Sequence, residues 1–150
     1  NMPYTIPKEF KIYKLMELHD CFVANENFNY LKDRKLKPSD LEKLPLLVLT
    51  KGATTRIRLD EYCTENKITI HPEMEFGSNT LIKEFTEAGF GIGMLTYEHV
   101  KKELDDGTLF KLNIEIPLKE KYLAMINNPE NRSLITKNFI NYIKDNTSNS

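Results

Sequence analysis

The sequence has few of the features that mark membrane, secreted or DNA-binding chains. Its longest apolar runs, such as residues 44–49, are far shorter than the roughly 20 residues that cross a bilayer. The first residues lack the basic and then apolar pattern of a signal peptide. Twenty-one basic and 22 acidic residues leave a net charge of −1, without the basic excess of a duplex-binding domain. These absences predict a cytoplasmic chain that contacts neither a membrane nor DNA directly.

Cysteine is scarce, and its placement argues against a disulfide framework. The two cysteines, Cys21 and Cys63, lie far apart in the sequence and in no CxxC arrangement. Isolated cysteines of this kind in a reducing compartment are usually buried thiols. We therefore predict that both are reduced residues of the core.

The sequence also lacks the short motifs of common catalytic and cofactor sites. His19, His71 and His99 occur in different segments with no i, i+4 pair among them, and Asp20 lies directly beside His19 in the sequence instead of across from it. No nucleophile elbow, Walker loop or pair of catalytic carboxylates is recognisable. The sequence therefore predicts no metal, no cofactor and no catalysed reaction.

Three glycines have the spacing of a dinucleotide-binding loop, but their context does not fit one. Gly89, Gly91 and Gly93 lead into an apolar strand, whereas a dinucleotide loop leads into a helix. We predict that they terminate a helix and allow close packing.

What the sequence does contain is the alternation of apolar strands and amphipathic helices that is typical of a parallel α/β sheet. With 150 residues and 40% hydrophobic residues, the chain can bury one sizeable core. The predicted strands are residues 11–16, 21–24, 46–49, 74–76, 92–95, 109–112 and 121–126. The predicted helices are residues 38–44, 55–66, 79–88 and 97–104, followed by a last helix that begins at Ser133 and carries Leu134, Phe139, Ile140 and Ile143.

Two predicted helices have serine residues placed to cap them. Ser39, with Glu42 three residues later, has the pattern of a capping box. Ser78 precedes the helix that Ala88 and Gly89 are expected to end.

Two strand-to-helix junctions are the most informative features for function. In a parallel sheet, helix N-termini gather at the carboxyl ends of the strands, and ligands bind in the crevice there. The first junction, residues 50–56, combines a lysine, two small residues and two threonine hydroxyls, and the second, residues 76–80, contains a glycine and a serine. Both suit a carboxylate or another small anion. Simple helix capping would need the same residue types, so this alternative remains open.

An ordered series of segments resembles the effector-binding domain of LysR-type transcriptional regulators. The segments are Leu46-Leu47-Val48-Leu49, Gly52-Ala53-Thr54-Thr55-Arg56, Leu59-Asp60-Glu61, Glu75-Phe76-Gly77-Ser78-Asn79-Thr80-Leu81-Ile82-Lys83, Ala88-Gly89-Phe90-Gly91-Ile92-Gly93-Met94-Leu95, Val100-Lys101-Lys102-Glu103-Leu104 and Gly107-Thr108-Leu109. Their order and spacing, more than any one segment, carry the resemblance, which covers nearly the whole chain. The start departs from the family, because the winged helix-turn-helix, the linker helix and the first elements of the sensor are absent.

The resemblance implies an α/β fold of the type 2 periplasmic-binding-protein kind, with two lobes and an effector between them. It implies a partial first lobe over residues 1–44 and 110–145 and a complete second lobe over 45–109, and we expect residues 146–150 to be a disordered tail. The second lobe's wall of the cleft would be formed by Lys51, Gly52, Ala53, Thr54, Thr55, Gly77 and Ser78. The effector would be a small molecule, with a weak preference for a carboxylate because of Lys51 and the helix amides.

The resemblance also implies partners and excludes one kind of switch. DNA would be contacted only through the absent amino-terminal domain, and the intact protein would be a homo-oligomer whose dimer surface includes residues 81–88 and 92–95. One branch of the family senses peroxide through two cysteines. Cys63 matches the second of them, but Thr54 stands at the place of the reactive one, so a dithiol switch is not expected.

Two alternatives remain at this stage. An extracytoplasmic solute-binding protein of a transporter would have the same fold but would need a signal peptide. A small α/β enzyme would use the same crevice, but the sequence offers no nucleophile and base in one motif.

Overall fold

A computed structural model describes residues 11–127, 138, 139, 141 and 142 of the chain. The chain divides into two compact units, one containing residues 11–18 and 121–127 and the other containing residues 19–120. The four residues after 127 that the structure describes are helical, which includes Phe139 of the predicted last helix. The predicted cap Ser133, the other residues named for that helix and the tail lie outside the described residues.

The smaller unit contains an antiparallel pair of strands. Strand β1 (Lys11–Leu18) pairs with strand β9 (Lys121–Asn127), so that Leu18 lies opposite Lys121 and Lys11 opposite Asn127. A register irregularity falls between Lys14 and Met16. The two predicted strands of this region are confirmed, with slightly wider bounds.

The larger unit is built on a mixed five-stranded sheet. Its members are β2 (Asp20–Ala24), β4 (Leu46–Leu49), β5 (Met74–Phe76), β6 (Ile92–Thr96) and β7 (Phe110–Lys111). Their order in the sheet is β5-β4-β6-β2-β7. Strands β4, β5 and β6 are mutually parallel, as predicted, whereas β2 runs antiparallel to both β6 and β7. Two short strands, β3 (Lys35–Leu36) and β8 (Asn113–Ile114), pair in parallel outside this sheet.

Helices cover both faces of the sheet, which explains why its central strands are apolar throughout. Helix α1 (Thr54–Asn66) packs on one face, where Leu59 belongs to the same apolar cluster as Leu46 and Val48. Helices α2 (Asn79–Glu87) and α3 (Tyr97–Asp105) pack on the other face with Leu47. Each fully buried side chain of this size contributes about 1.5–3 kcal/mol.

Local signals place the helix ends close to where the sequence predicts them. The Ser78 hydroxyl caps α2, and Gly89, at φ +81°, follows its end. Gly93 lies against Thr86 of α2, so closely that a side chain at this position would collide with the Thr86 hydroxyl. The predicted role of these glycines in helix termination and close packing is therefore confirmed.

The cap predicted at Ser39 is wrong. The short helix is a 3-10 helix over Pro38–Lys43, and its cap residue is Lys37. The Asp40 carboxylate accepts a 2.8 Å hydrogen bond from the Lys37 backbone N–H. The proline at the first position and an aspartate three residues after Lys37 move the start of the helix ahead of Ser39.

The unit boundaries and the strand near residue 110 also differ from the prediction. Residues 19–44 and 110–120, assigned from the sequence to the first lobe, lie in the same compact unit as residues 45–109. The reason is the sheet itself, since β2 is hydrogen-bonded between β6 and β7. Of the strand predicted over 109–112, only Phe110–Lys111 forms a strand, and a separate strand, Asn113–Ile114, follows and pairs with a different partner.

Candidate effector site

The two predicted junctions lie side by side at one edge of the large sheet. Leu49, the last residue of β4, is opposite Phe76, the last residue of β5. The Thr50 backbone N–H then donates a 2.9 Å hydrogen bond to the Phe76 carbonyl oxygen. Residues 50–53 and 77–78 therefore leave the sheet from adjacent positions and lead into α1 and α2.

A third strand ends at the same edge. Strand β6 is parallel to β4, with Leu46 opposite Ile92, and it ends at Thr96. The Thr96 hydroxyl donates a 2.9 Å hydrogen bond to the Asp20 carboxylate at the start of β2. Both residues are buried. The sequence analysis did not find this pair because its members are 76 residues apart.

The first junction leaves the start of α1 without a side-chain cap. The cap residue is Ala53, whose side chain cannot accept a hydrogen bond, while Thr54 and Thr55 are already inside the helix. Capping therefore does not explain the two threonines. Gly52 has φ +93° and no atom within 4 Å of the place of a side chain, so backbone conformation and not crowding favours glycine here.

The residues of this junction are accessible. Lys51, Gly52 and Thr54 are exposed, and Ala53 and Thr55 are half-buried. Backbone N–H groups in the first turn of a helix have no partner inside the helix and carry a partial positive charge. Within residues 11–127 no ion pair involves Lys51. This geometry suits an anionic group that approaches the start of α1.

At the second junction, capping does account for the serine. The Ser78 hydroxyl accepts a 3.4 Å hydrogen bond from the Leu81 backbone N–H. Gly77 and Ser78 are exposed, and no atom lies within 4 Å of the place of a side chain on Gly77. Ser78 can therefore stabilise α2 and also present its hydroxyl to the crevice.

Arg56 belongs to the predicted junction 50–56, but its role was not predicted from the sequence. Its side chain is 5% exposed, and its Nη1 donates to the Leu49 carbonyl oxygen at 3.0 Å and to Glu75 at 2.7 Å. Its Nε donates to Asp60 at 3.0 Å. Burial lowers the pKa of Arg56, but the hydrogen bonds to Glu75 and Asp60 outweigh it and the pKa is raised. The i, i+4 spacing of Arg56 and Asp60 was the one local signal for this cluster.

The two cysteines are free and buried, as predicted. Cys63 belongs to the apolar cluster on the face of the sheet that α1 covers, and Cys21 belongs to the cluster on the opposite face. Burial is the main cause that raises the pKa of the Cys63 thiol to about 11. A thiol with this pKa is a poor nucleophile at neutral pH.

His19 has carboxylate neighbours that its sequence context did not show. Its Nδ1 lies 3.4 Å from Glu98, and its Nε2 lies 4.0 Å from Glu120. The His19 side chain is exposed. Glu98 and Glu120 follow His19 by 79 and 101 positions in the sequence, so no spacing argument could have found them.

One part of the expected dimer surface is wrong. The residues 92–95 belong to β6, the central strand of the sheet, and are buried under helices on both faces. They cannot present side chains to another subunit. On α2, Leu81 is exposed, and Phe90 beyond the helix is exposed as well. The helical part of that surface remains a prediction.

Comparison with protein families shows which family the chain belongs to. The LysR substrate binding domain family matches residues 3–148. The HTH-type transcriptional activator CmpR of Synechocystis is 27% identical over 122 residues, which are 81% of this chain and 40% of CmpR. A RuBisCO operon transcriptional regulator of Acidithiobacillus ferrooxidans is 28% identical, with 81% and 40% covered. The chain thus spans about 40% of the length of these curated relatives.

Solved structures show the same fold. The regulatory domain of CcmR from Synechocystis, in complex with 2-PG, matches with a TM-score of 0.83 at 20% identity, covering 97% of this chain and 71% of that one. The effector binding domain of QuiR, in complex with shikimate, matches with a TM-score of 0.77 at 14% identity, covering 97% and 69%. The predicted α/β fold of the periplasmic-binding-protein kind is therefore confirmed. In the described part of the chain, no helix is both long and apolar enough to cross a bilayer. The chain belongs to the LysR substrate binding domain family.

Proposed function

We propose that this chain is the effector-sensing part of a LysR-type transcriptional regulator and that it binds a small molecule at the paired junctions of β4 and β5. The residues that would contact the effector are Lys51, Gly52, Ala53, Thr54, Thr55, Gly77 and Ser78. The observation that carries the proposal is the juxtaposition of two exposed helix starts, joined by the hydrogen bond from Thr50 to Phe76.

The chemistry of this edge favours an anionic effector, such as a carboxylate or a phosphate ester. The α1 amides are not capped by Ala53, and the exposed Lys51 supplies a positive charge. Hydrogen bonds in which one partner is charged contribute about 1.5–3 kcal/mol each. A few such bonds, together with the helix dipole, would give an affinity in the range of a metabolite sensor.

Residues 19–120 would then act as one complete lobe, with the rest of the chain contributing to the other. Effector binding would change the conformation of the sensor, and the regulator would pass this change to DNA-binding domains outside this chain. We propose that the regulator works in the cytoplasm as a homo-oligomer. The function requires no cofactor and no reaction.

The relatives support this function over the two alternatives. CmpR and the RuBisCO operon regulator are named as transcriptional regulators, not as components of a transporter. The two junctions, residues 50–56 and 76–80, carry hydroxyls, a lysine and free amides but neither a cysteine nor a histidine, which disfavours an enzyme that uses these loops.

The proposal is tested by ligand binding to the full-length protein that contains this chain. A panel of small carboxylates and phosphate esters, including 2-PG and shikimate, is screened for a rise in melting temperature, and the Kd of each hit is measured by calorimetry. We expect at least one hit, and we expect Thr54→Ala to weaken it about fivefold or more, the loss of roughly 1 kcal/mol. Thr64→Ala is the matched control, because Thr64 is an exposed threonine at the other end of α1.

The outcomes separate clearly. Equal affinity in Thr54→Ala, Ser78→Ala and the Thr64→Ala control would remove these junctions from the effector site. A folded protein that binds no member of the panel would contradict the anionic class of effector.

A further inference from the structure

Arg56 lies where both proposed effector loops can be held by one side chain. It is the third residue of α1, two positions after Thr54. Its Nη1 donates to the Leu49 carbonyl oxygen at the end of β4 and to the Glu75 carboxylate near the end of β5. Glu75 in turn precedes Gly77 by two residues. One guanidinium nitrogen therefore joins the start of α1 to the carboxyl ends of both strands.

Arg56 joins the two ends of the first loop, because it lies in α1 and bonds the last residue of β4. Residues 50–53 connect Leu49 to the start of α1, and Arg56 bonds the Leu49 carbonyl oxygen directly. The Ala53 backbone N–H donates to the Thr50 carbonyl oxygen at 3.3 Å, which closes the turn between these ends. The Arg56 side chain and this backbone hydrogen bond together hold Leu49 close to the first turn of α1.

The helix dipole does not explain a cation at this position. The start of a helix carries a partial positive charge that disfavours arginine, and the first turn of α1 contains no acidic residue. Burying the guanidinium has a further cost, which apolar packing would avoid. Arg56 is nevertheless 5% exposed, while its partners Asp60 and Glu75 are 52% and 38% exposed. The side chain is buried at the point where α1, β4 and β5 meet.

We propose that Arg56 is a positioning residue of the effector site, which fixes the separation and orientation of the loops 50–53 and 77–78 through Leu49 and Glu75. The inference rests on the proposed function, because it concerns the same two loops. Arg56 itself does not contact the effector. Its effect on affinity comes from holding the α1 amides and the β5 junction in one arrangement before the effector binds.

The cluster supplies matched variants for a test. Arg56→Lys keeps the charge but offers a single ammonium group, which cannot reproduce the forked contacts of the guanidinium. Glu75→Gln removes the charge on the β5 side. Asp60→Asn is the control, because Asp60 bonds Arg56 from within α1 and reaches neither loop.

The first measurement needs no effector. Amide hydrogen exchange of the full-length protein is followed in residues 50–55, 77–81 and 97–105. We expect Arg56→Lys to speed exchange in both loops and to leave α3 unchanged, with Asp60→Asn close to the unaltered protein. Faster exchange confined to α1, or spread equally over all three segments, would overturn the inference, because it would show a purely local or a purely global role.

The second measurement distinguishes a failure of this inference from a failure of the proposed effector-binding function. The Kd of 2-PG, or of the best ligand from the panel, is compared with the melting temperature of each variant. We expect Arg56→Lys and Glu75→Gln to weaken binding about fivefold or more, and Asp60→Asn to change it less than about twofold at a similar melting temperature. Binding that Thr54→Ala weakens but Arg56→Lys does not would overturn this inference alone. Binding that neither change affects would overturn the proposed function as well.

Discussion

The Lys83 ammonium group donates a 2.8 Å hydrogen bond to the Glu103 carboxylate and so joins α2 to α3. This hydrogen bond is the main cause that lowers the pKa of Glu103 below its ordinary value of 4.5, and it also raises the pKa of Lys83. Ile82, next to Lys83 in the sequence, and Val100, three residues before Glu103, belong to the buried apolar cluster on the face of the sheet that α2 and α3 cover. The charge state of the Lys83–Glu103 pair therefore contributes to the stability of this face of the sheet.

The pair predicts a specific dependence of stability on pH. Since the pKa of Glu103 is lower in the folded chain, its contribution is present above pH 4.5 and is lost as the pH falls through the folded value. We expect Glu103→Gln to reduce the free energy of unfolding by about 0.5–1 kcal/mol at neutral pH, and the difference to vanish in acid. Urea unfolding across this pH range measures it. Glu61→Gln, at an exposed glutamate of α1, is the control, and an equal effect there would refute the assignment.

The two hydroxyl residues of the effector site should differ in their effects on stability. Ser78 caps α2, so Ser78→Ala should cost about 1 kcal/mol of stability. Thr54 follows the cap residue of α1 and caps nothing, so Thr54→Ala should change stability by less than about 0.5 kcal/mol. Urea denaturation of the two variants measures both values. Equal losses would mean that Thr54 has a structural role that its position does not show.

Ala53 offers the opposite experiment. Its extended backbone, with φ −68° and ψ 141°, is the conformation of a cap residue that lacks only a side-chain acceptor. Ala53→Ser should therefore stabilise the folded chain by up to about 1 kcal/mol. The new hydroxyl would occupy the amides proposed for the effector, so affinity should fall as stability rises. Calorimetric binding together with thermal unfolding checks this, and a parallel rise of both quantities would exclude the α1 amides as ligands.

Cys63 should resist modification in the folded protein. With its pKa raised to about 11, only about one thiol in ten thousand is ionised at neutral pH, and burial also blocks access. We expect alkylation by iodoacetamide to be very slow until urea unfolds the chain. The Cys21→Ser variant isolates Cys63 in this assay. Rapid modification of the folded variant would contradict a core role.

The sequence predicted those elements whose cause lies within a few residues. The apolar run of β4, the Ser78 cap and the turn at Gly89 are local, and the structure has them where expected. The prediction failed at Ser39 because the neighbouring Asp40 carboxylate accepts a hydrogen bond from the Lys37 amide, and Lys37 becomes the cap residue. Competition between nearby hydrogen-bonding groups is hard to rank from sequence.

The remaining misses share a different cause. Arg56 meets a carboxylate 19 residues later, and Thr96 meets one 76 residues earlier. The unit boundary likewise depends on β2 pairing with strands that follow much later in the chain. The candidate loops could be predicted because parallel strands end at a shared edge. The side chains that hold those loops could not, since their partners are set by the tertiary fold.

The pairing of Leu18 with Lys121 has a consequence for the order in which the chain assembles. The β1–β9 ladder joins segments about one hundred residues apart, and closing an unstructured loop of that length costs about 4 kcal/mol in chain entropy. Residues 19–120 form a compact unit whose core and sheet lie within it. Once this unit has folded, most of that entropy is already lost, and the ladder can form at little further cost. Assembly should therefore proceed outward from the large sheet, with the two-stranded ladder closing last.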